Sequence, residues 1–137
     1  MAEANDFNTR IIQEFRDNAG RLGGQFEGAP MLLLTTVGAK SGETRVHPMM
    51  YLAEDGRRYV FASKAGAPTN PDWYHNLLAH PDVSIEVGSD VIDVVAVPLL
   101  GGERDRVYAE QARRYPGFAE YQEKTDRVIP VVALDPR

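Results

Sequence analysis

No cysteine occurs in the 137 residues. Disulfides, thiolate nucleophiles and zinc–thiolate sites are therefore excluded, and the chain suits a reducing compartment. No apolar run is long enough to span a bilayer, because Met31–Leu34 and Val94–Leu100 fall far short of the ~20 residues a spanning helix needs. The opening MAEANDFN has neither the charged n-region nor the apolar h-region of a secretory signal, so a cytoplasmic protein is expected. Cations are outnumbered, 15 Lys and Arg against 20 Asp and Glu. That balance argues against nucleic acid, whose binding depends on neutralising phosphates. Histidine is scarce, and His47, His75 and His80 have no ligand-like spacing with carboxylates, so no metal is expected. There is no G-x-x-x-x-G-K-[ST] phosphate loop and no G-x-S-x-G nucleophile elbow.

What is present fits one globular domain over residues 1–137, with a helix and loop in 1–28. Phe7, Ile11 and Phe15 recur at helical spacing before Gly20. MLLLTTV (31–37) reads as a buried strand. RVHPMMYLAE (45–54) follows, and Pro48 places it at an edge or bulge. Asp55-Gly56 marks a tight hairpin into RRYVFAS (57–63). VSIEV and VIDVVAVPL form another hairpin, and VIPVVAL (128–134) is a final strand. Asn70-Pro71-Asp72 opens a helix running to His80, Asn70 being the expected N-cap. ERDRVYAEQARR and Phe118–Asp126 supply two more helices. Six strands joined mostly by hairpins, with three to four flanking helices, predict an α+β fold built on a largely antiparallel, partly open barrel.

Two loops carry chemistry. The turn Gly38–Arg45 collects Lys40, Ser41 and Arg45, and its glycines let backbone N–H groups approach an anion. From Gly38 to Lys64 the chain carries +2, against −7 elsewhere, which suits a small anionic ligand. The second loop, ASKAGAPTNPDWYHN (62–76), passes from a strand through small residues into a helix start, itself an anion seat. Either loop alone also reads as an ordinary solvated turn. Trp73 is a core anchor or the wall of a ring site. Tyr115, Phe118 and Tyr121 recur at intervals of three, as core packing or as a pocket for a planar substrate. Redox chemistry there would need a cofactor.

The blocks LLLTTVGAKSGETRVHPMMY, FASKAGAPTNPDWYHNL and YPGFAEYQEKTDRVIPVVAL together resemble the deazaflavin (F420)-dependent nitroreductase family of actinobacteria. The likeness runs from about Phe7 to Pro136. It implies a split β-barrel of the FMN-binding type, and an F420H2-dependent oxidoreductase passing a hydride to a quinone, an enone or unsaturated lactone, or a nitro compound. Carried over, Lys40, Ser41 and Arg45 hold the cofactor's phosphate and acidic tail, with His47, Pro48 and Met49 beside it. Ala62, Ser63, Lys64, Ala65 and Gly66 follow the ring and linker, and Asn70, Pro71, Trp73 and Asn76 close that side. Tyr115, Tyr121 or Ser63 would stabilise or protonate the acceptor. Phe118 departs from the third tyrosine of nitroreducing relatives, which counts against nitroimidazole activation. The competing readings are an FMN enzyme on the same barrel and a non-catalytic F420 carrier. A small-molecule substrate is expected, with no obligate protein partner.

Overall fold

The computed structural model describes residues 2–137, except the side chains of residues 2–7 and Gln25. Seven strands and four helices occur: α1 (Ala2–Asp17), β1 (Met31–Val37), β2 (Thr44–Met50), β3 (Leu52–Glu54), β4 (Arg57–Phe61), α2 (Asp72–Ala79), β5 (Asp82–Val87), β6 (Asp90–Pro98), α3 (Gly101–Arg114), α4 (Gly117–Glu123) and β7 (Val131–Pro136). The strands form one sheet in the order β2-β1-β5-β6-β7-β4-β3, and every neighbouring pair is antiparallel.

The seventh strand comes from a break at Tyr51 in the segment expected as one strand. Residues 44–50 pair with β1, whereas residues 52–54 pair with β4 at the far end of the sheet. The Tyr51 N–H keeps the register of the β1–β2 ladder for one more pair, donating to the Pro30 carbonyl at 3.0 Å, before the chain crosses to β3. A single residue thus links the two edge strands, so the sheet must curl into a split barrel. Pro48 occupies an edge strand, as its missing donor requires, and pairs with Leu33 without a bulge.

Strand alternation divides the core. Leu32 and Leu34 of β1 face inward with Val60, Val83, Ile85, Val94, Ala96, Val132 and Leu134, and Leu77 of α2 joins them. Met31 and Leu33 face outward onto Phe15 and Leu22, with Ile11 of α1 beside them. The Phe7 side chain lies outside the described residues. On the other outer face, Tyr59, Phe61, Val131 and Ala133 meet Val107, Tyr108 and Phe118 of α3 and α4. Each fully buried aliphatic side chain contributes ~1.5–3 kcal/mol, so a sheet covered on both faces needs no staple.

The punctuation follows the residues. Asp55 and Gly56 both take positive φ (52° and 80°), the two-residue turn that matches strand twist. Gly20 (φ 90°) closes α1 by donating to the Phe15 carbonyl at 2.8 Å. Arg16 reaches Glu86 through two hydrogen bonds of 3.0 and 2.8 Å, tying α1 to β5. Among the described residues, no helix is long and apolar enough to cross a membrane.

Candidate active site

Two cavities flank the first turn of α2. The larger, of about 1030 Å³, lies among α1, the 38–43 turn, β2 and α2, and is lined by Lys40, Ser41, Arg45, His47, Asp72 and Asn76, among others. The smaller, of about 310 Å³, is lined by Met49, Met50, Phe61, Ser63, Lys64, Ala65, Pro71, Trp73, Phe118 and Tyr121. His47 and Met49 sit two residues apart on one face of β2, one in each cavity. Around the start of α2, Pro71 and Trp73 line the smaller cavity and Asp72, His75 and Asn76 the larger, which sets the two side by side.

The cationic turn is built from within. Gly38 N–H donates to the Glu43 carbonyl at 2.8 Å, and Ser41 Oγ accepts from the Glu43 N–H at 3.1 Å. A Cβ at Gly38 would collide with the Ser41 hydroxyl, so this position requires glycine. Arg45 pairs with Glu43 at 3.2 Å, and both side chains are mostly exposed. Such a pair is worth at most ~1 kcal/mol, so the guanidinium can exchange it for a stronger anion. Lys40 has no ion-pair partner among the described residues.

Asn76 anchors this turn. Its Oδ1 accepts from the Ala39 N–H at 2.9 Å, and its Nδ2 donates to Thr36 Oγ1 at 3.1 Å. Thr36, fully buried in β1, lies 3.0 Å from His47 Nε2. The hydroxyl accepts from Asn76, which leaves it a proton and a second lone pair for His47, so the direction of that bond follows the imidazole tautomer. Burial holds the His47 pKa below its ordinary value. Arg45 adds to that effect, and Asp72 opposes it.

The second loop adopts an uncommon backbone. Lys64 (φ 47°) and Ala65 (φ 53°) are left-handed without being glycine, and Gly66 follows at φ 83°. Each such non-glycine residue costs on the order of 1–3 kcal/mol, and such cost concentrates at ligand sites. Gly66 lies against α4, where an added Cβ would stand 2.9 Å from the Tyr121 carbonyl. Beneath the loop, the Arg127 guanidinium donates to the carbonyls of Ala62 (3.1 Å), Ser63 (2.8 Å) and Ala67 (2.9 Å), and to Asn70 Oδ1 (2.6 Å).

Several expected residues stand elsewhere. Asn70 does not cap α2. The N-cap position is Pro71, with no side-chain cap bond, and the Asn70 amide serves Arg127 instead. Pro48, Ala62 and Gly66 do not line either cavity, and Ala62 is fully buried. Tyr115 packs against the core under α3 and α4, whereas Tyr121 reaches the smaller cavity, with Phe118 edge-on to it at 5.3 Å. Trp73 does both things foreseen for it, packing on the inner core and walling the smaller cavity. The positive window is not one patch, because Arg57 turns away to Asp135 and Glu103. Two cations and one carboxylate, Lys40, Arg45 and Asp72, line the larger cavity.

Two residues of the site escaped the sequence reading. Thr36 carried a faint signal, a second hydroxyl at the inner position of an apolar strand. Arg127 carried none, because its acceptors lie 57 to 65 residues away.

The model of the F420H(2)-dependent quinone reductase family matches residues 8–136. An F420H(2)-dependent quinone reductase of Mycobacterium tuberculosis is 43% identical over 131 residues, covering 90% of this chain and 85% of the relative. The solved structure of an F420-H2 dependent reductase is 45% identical, with a TM-score of 0.71 over 77% of this chain and 94% of that one. Another, described as a domain-swapped dimer, is 37% identical and covers 98% of each chain with a TM-score of 0.73. With the match spanning both cavities and nearly every element, the chain belongs to the F420H(2)-dependent quinone reductase family.

Proposed function

We propose that the two cavities divide one reduced F420 molecule between them and that the acceptor is a quinone. The family is F420H2-dependent, so the activity is that of an F420H2-dependent reductase. The observation that carries the finer reading is the pairing of unlike cavities across the first turn of α2. The smaller has mostly apolar walls with hydroxyls at Ser63 and Tyr121 and one cation, Lys64, at its edge; the larger is more polar and holds Lys40 and Arg45 with Asp72. A flat ring joined to an anionic tail matches that division.

When bound, reduced F420 supplies a hydride. The chain's own residues do the rest. Lys40 and Arg45 bind the phosphate and carboxylates of the tail, with Ser41 shaping the turn that presents them. Asn76, itself held by Thr36, anchors this turn, and burial favours the neutral form of His47. Met49, Ala65, Pro71 and Trp73 enclose the ring and exclude water, which raises the effect of every dipole at the reacting centre. The Ser63 and Tyr121 hydroxyls have no hydrogen-bond partner among the described residues. They face the position where a quinone oxygen gains charge, and one of them passes it a proton, so that hydride and proton together yield the hydroquinone. Tyr115 in this reading supports Phe118 and Tyr121 by packing. Enones and unsaturated lactones accept a hydride and a proton in the same way and form the wider acceptor class.

The test adds oxidised F420 and, separately, FMN to the purified protein and follows cofactor fluorescence. Reduced F420 is then mixed with menadione, an unsaturated lactone and a nitroimidazole. Binding of F420 with rapid menadione turnover is expected. Binding of FMN alone would turn the reading to a flavin enzyme; F420 binding without turnover of any acceptor would turn it to a carrier.

A further inference from the structure

Arg127 stands out among the arginines. Most of its counterparts with side-chain partners face a carboxylate, as Arg16 faces Glu86 and Arg57 faces Asp135. Arg127 has no ion pair among the described residues, and its four acceptors are three backbone carbonyls and one amide, all on residues 62–70. Those residues contain the left-handed stretch Lys64–Gly66 and three walls of the smaller cavity, Ser63, Lys64 and Ala65. Arg127 is itself held from behind. Its carbonyl accepts from Gln122 Nε2 at 2.7 Å, and Gln122 Oε1 accepts from Arg104 at 2.6 Å and from the Ile129 N–H at 3.1 Å.

We propose that Arg127 is a positioning residue for the cofactor ring, clamping residues 62–70 so that the left-handed turn is formed before the ring arrives. The inference rests on the functional reading above in naming the ring as the occupant. The geometry supplies the rest. Three carbonyls converging on one point repel one another unless a multidentate cation sits between them. A planar fork with five N–H donors meets four acceptors at fixed angles, whereas an ammonium group meets at most three and without that planarity. Preorganisation of the loop removes an ordering cost from each binding event.

Arg127→Met, Arg127→Lys and Asn70→Ala test this. Without cofactor, trypsin cleavage after Lys64 is followed by mass spectrometry. Native protein is expected to resist cleavage there, Arg127→Met to be cut at least tenfold faster, and Asn70→Ala, which removes one bond of four, to fall between. Oxidised F420, followed by fluorescence, should bind Arg127→Met at least tenfold more weakly, with the KM for reduced F420 rising more than kcat falls. Arg127→Lys keeps the charge and should recover less than half of the loss on a logarithmic scale. Full recovery in Arg127→Lys, or cleavage and affinity unchanged in Arg127→Met, overturns the clamp. Where Arg127→Met does not fold, Asn70→Ala and Arg127→Lys decide by the same readouts. Should native protein bind no F420, the functional reading fails, while cleavage at Lys64 still decides the clamp.

Discussion

At the scale of single residues, the smaller cavity separates hydroxyls that can act from those already committed. Tyr108 is committed. Its hydroxyl donates to the Phe118 carbonyl at 2.6 Å, and burial pushes its pKa up to about 12. Tyr121 and Ser63 are not committed, and both line the cavity. Tyr121→Phe and Ser63→Ala keep the cavity's shape and each remove one donor. Each is expected to lower kcat with menadione by about 100-fold, the low end of the range for a lost general acid or oxyanion donor. F420 affinity should stay within about twofold. If both single variants and the double variant keep full kcat, water rather than the protein delivers the proton. The buried Gln111 gives a contrasting case, since both ends of its side-chain amide lack partners and nothing in the fold explains it.

At the scale of elements, the 38–43 turn and the 62–70 loop, to which the proposal assigns cofactor binding, are held differently. The first is stabilised mostly within itself and by Asn76, so its cations stay exposed and free to exchange partners. Lys40→Ala and Arg45→Ala should therefore weaken F420 binding by about 1.5 kcal/mol each at low salt, the lower limit for a charged hydrogen bond. Raising ionic strength from ~0.01 to 0.15 M shortens the screening length from about 30 to 8 Å and should shrink the difference between native and double variant. A salt-independent affinity in native protein would place the anionic tail elsewhere. Most of this element pattern was legible from residue order: the hairpin at Asp55-Gly56, the edge proline, the helix near Asn70-Pro71 and the turn with its lysine and arginine. What sequence reading could not reach were relations between distant segments. The Tyr51 break depends on which strands lie at opposite ends of the sheet. The loss of Asn70 as a cap depends on Arg127, and Tyr115 and Tyr121 part company because Tyr115 precedes α4 rather than lying within it.

For the whole molecule, the cavities are the open seam of a sheet whose interior is otherwise filled, so events there are linked to global stability. His47 shows this through protons. Its folded-state pKa lies below its unfolded value of ~6.5, so the folded state prefers the neutral ring. This contribution is present above pH ~6.5 and is lost as the pH falls through the depressed folded value, where a charged ring must stay buried. Urea midpoints measured between pH 7 and 5 should fall more steeply for native protein than for His47→Gln; parallel slopes would remove His47 from the account. Ligand linkage has the opposite sign. A cofactor that fills the seam and ignores the unfolded chain adds RT ln(1 + [L]/Kd), about 2.7 kcal/mol at a hundredfold excess over Kd. For a chain of 137 residues this amounts to a rise in Tm of roughly 10 °C. FMN carries a single phosphate and lacks the carboxylates of the F420 tail, so at equal concentration it should move Tm by less than F420 does, by about 2 °C or less. Thermal scans with each cofactor measure the difference. Equal shifts from the two would mean that the tail carboxylates, which FMN lacks, contribute nothing to cofactor choice through Lys40 and Arg45.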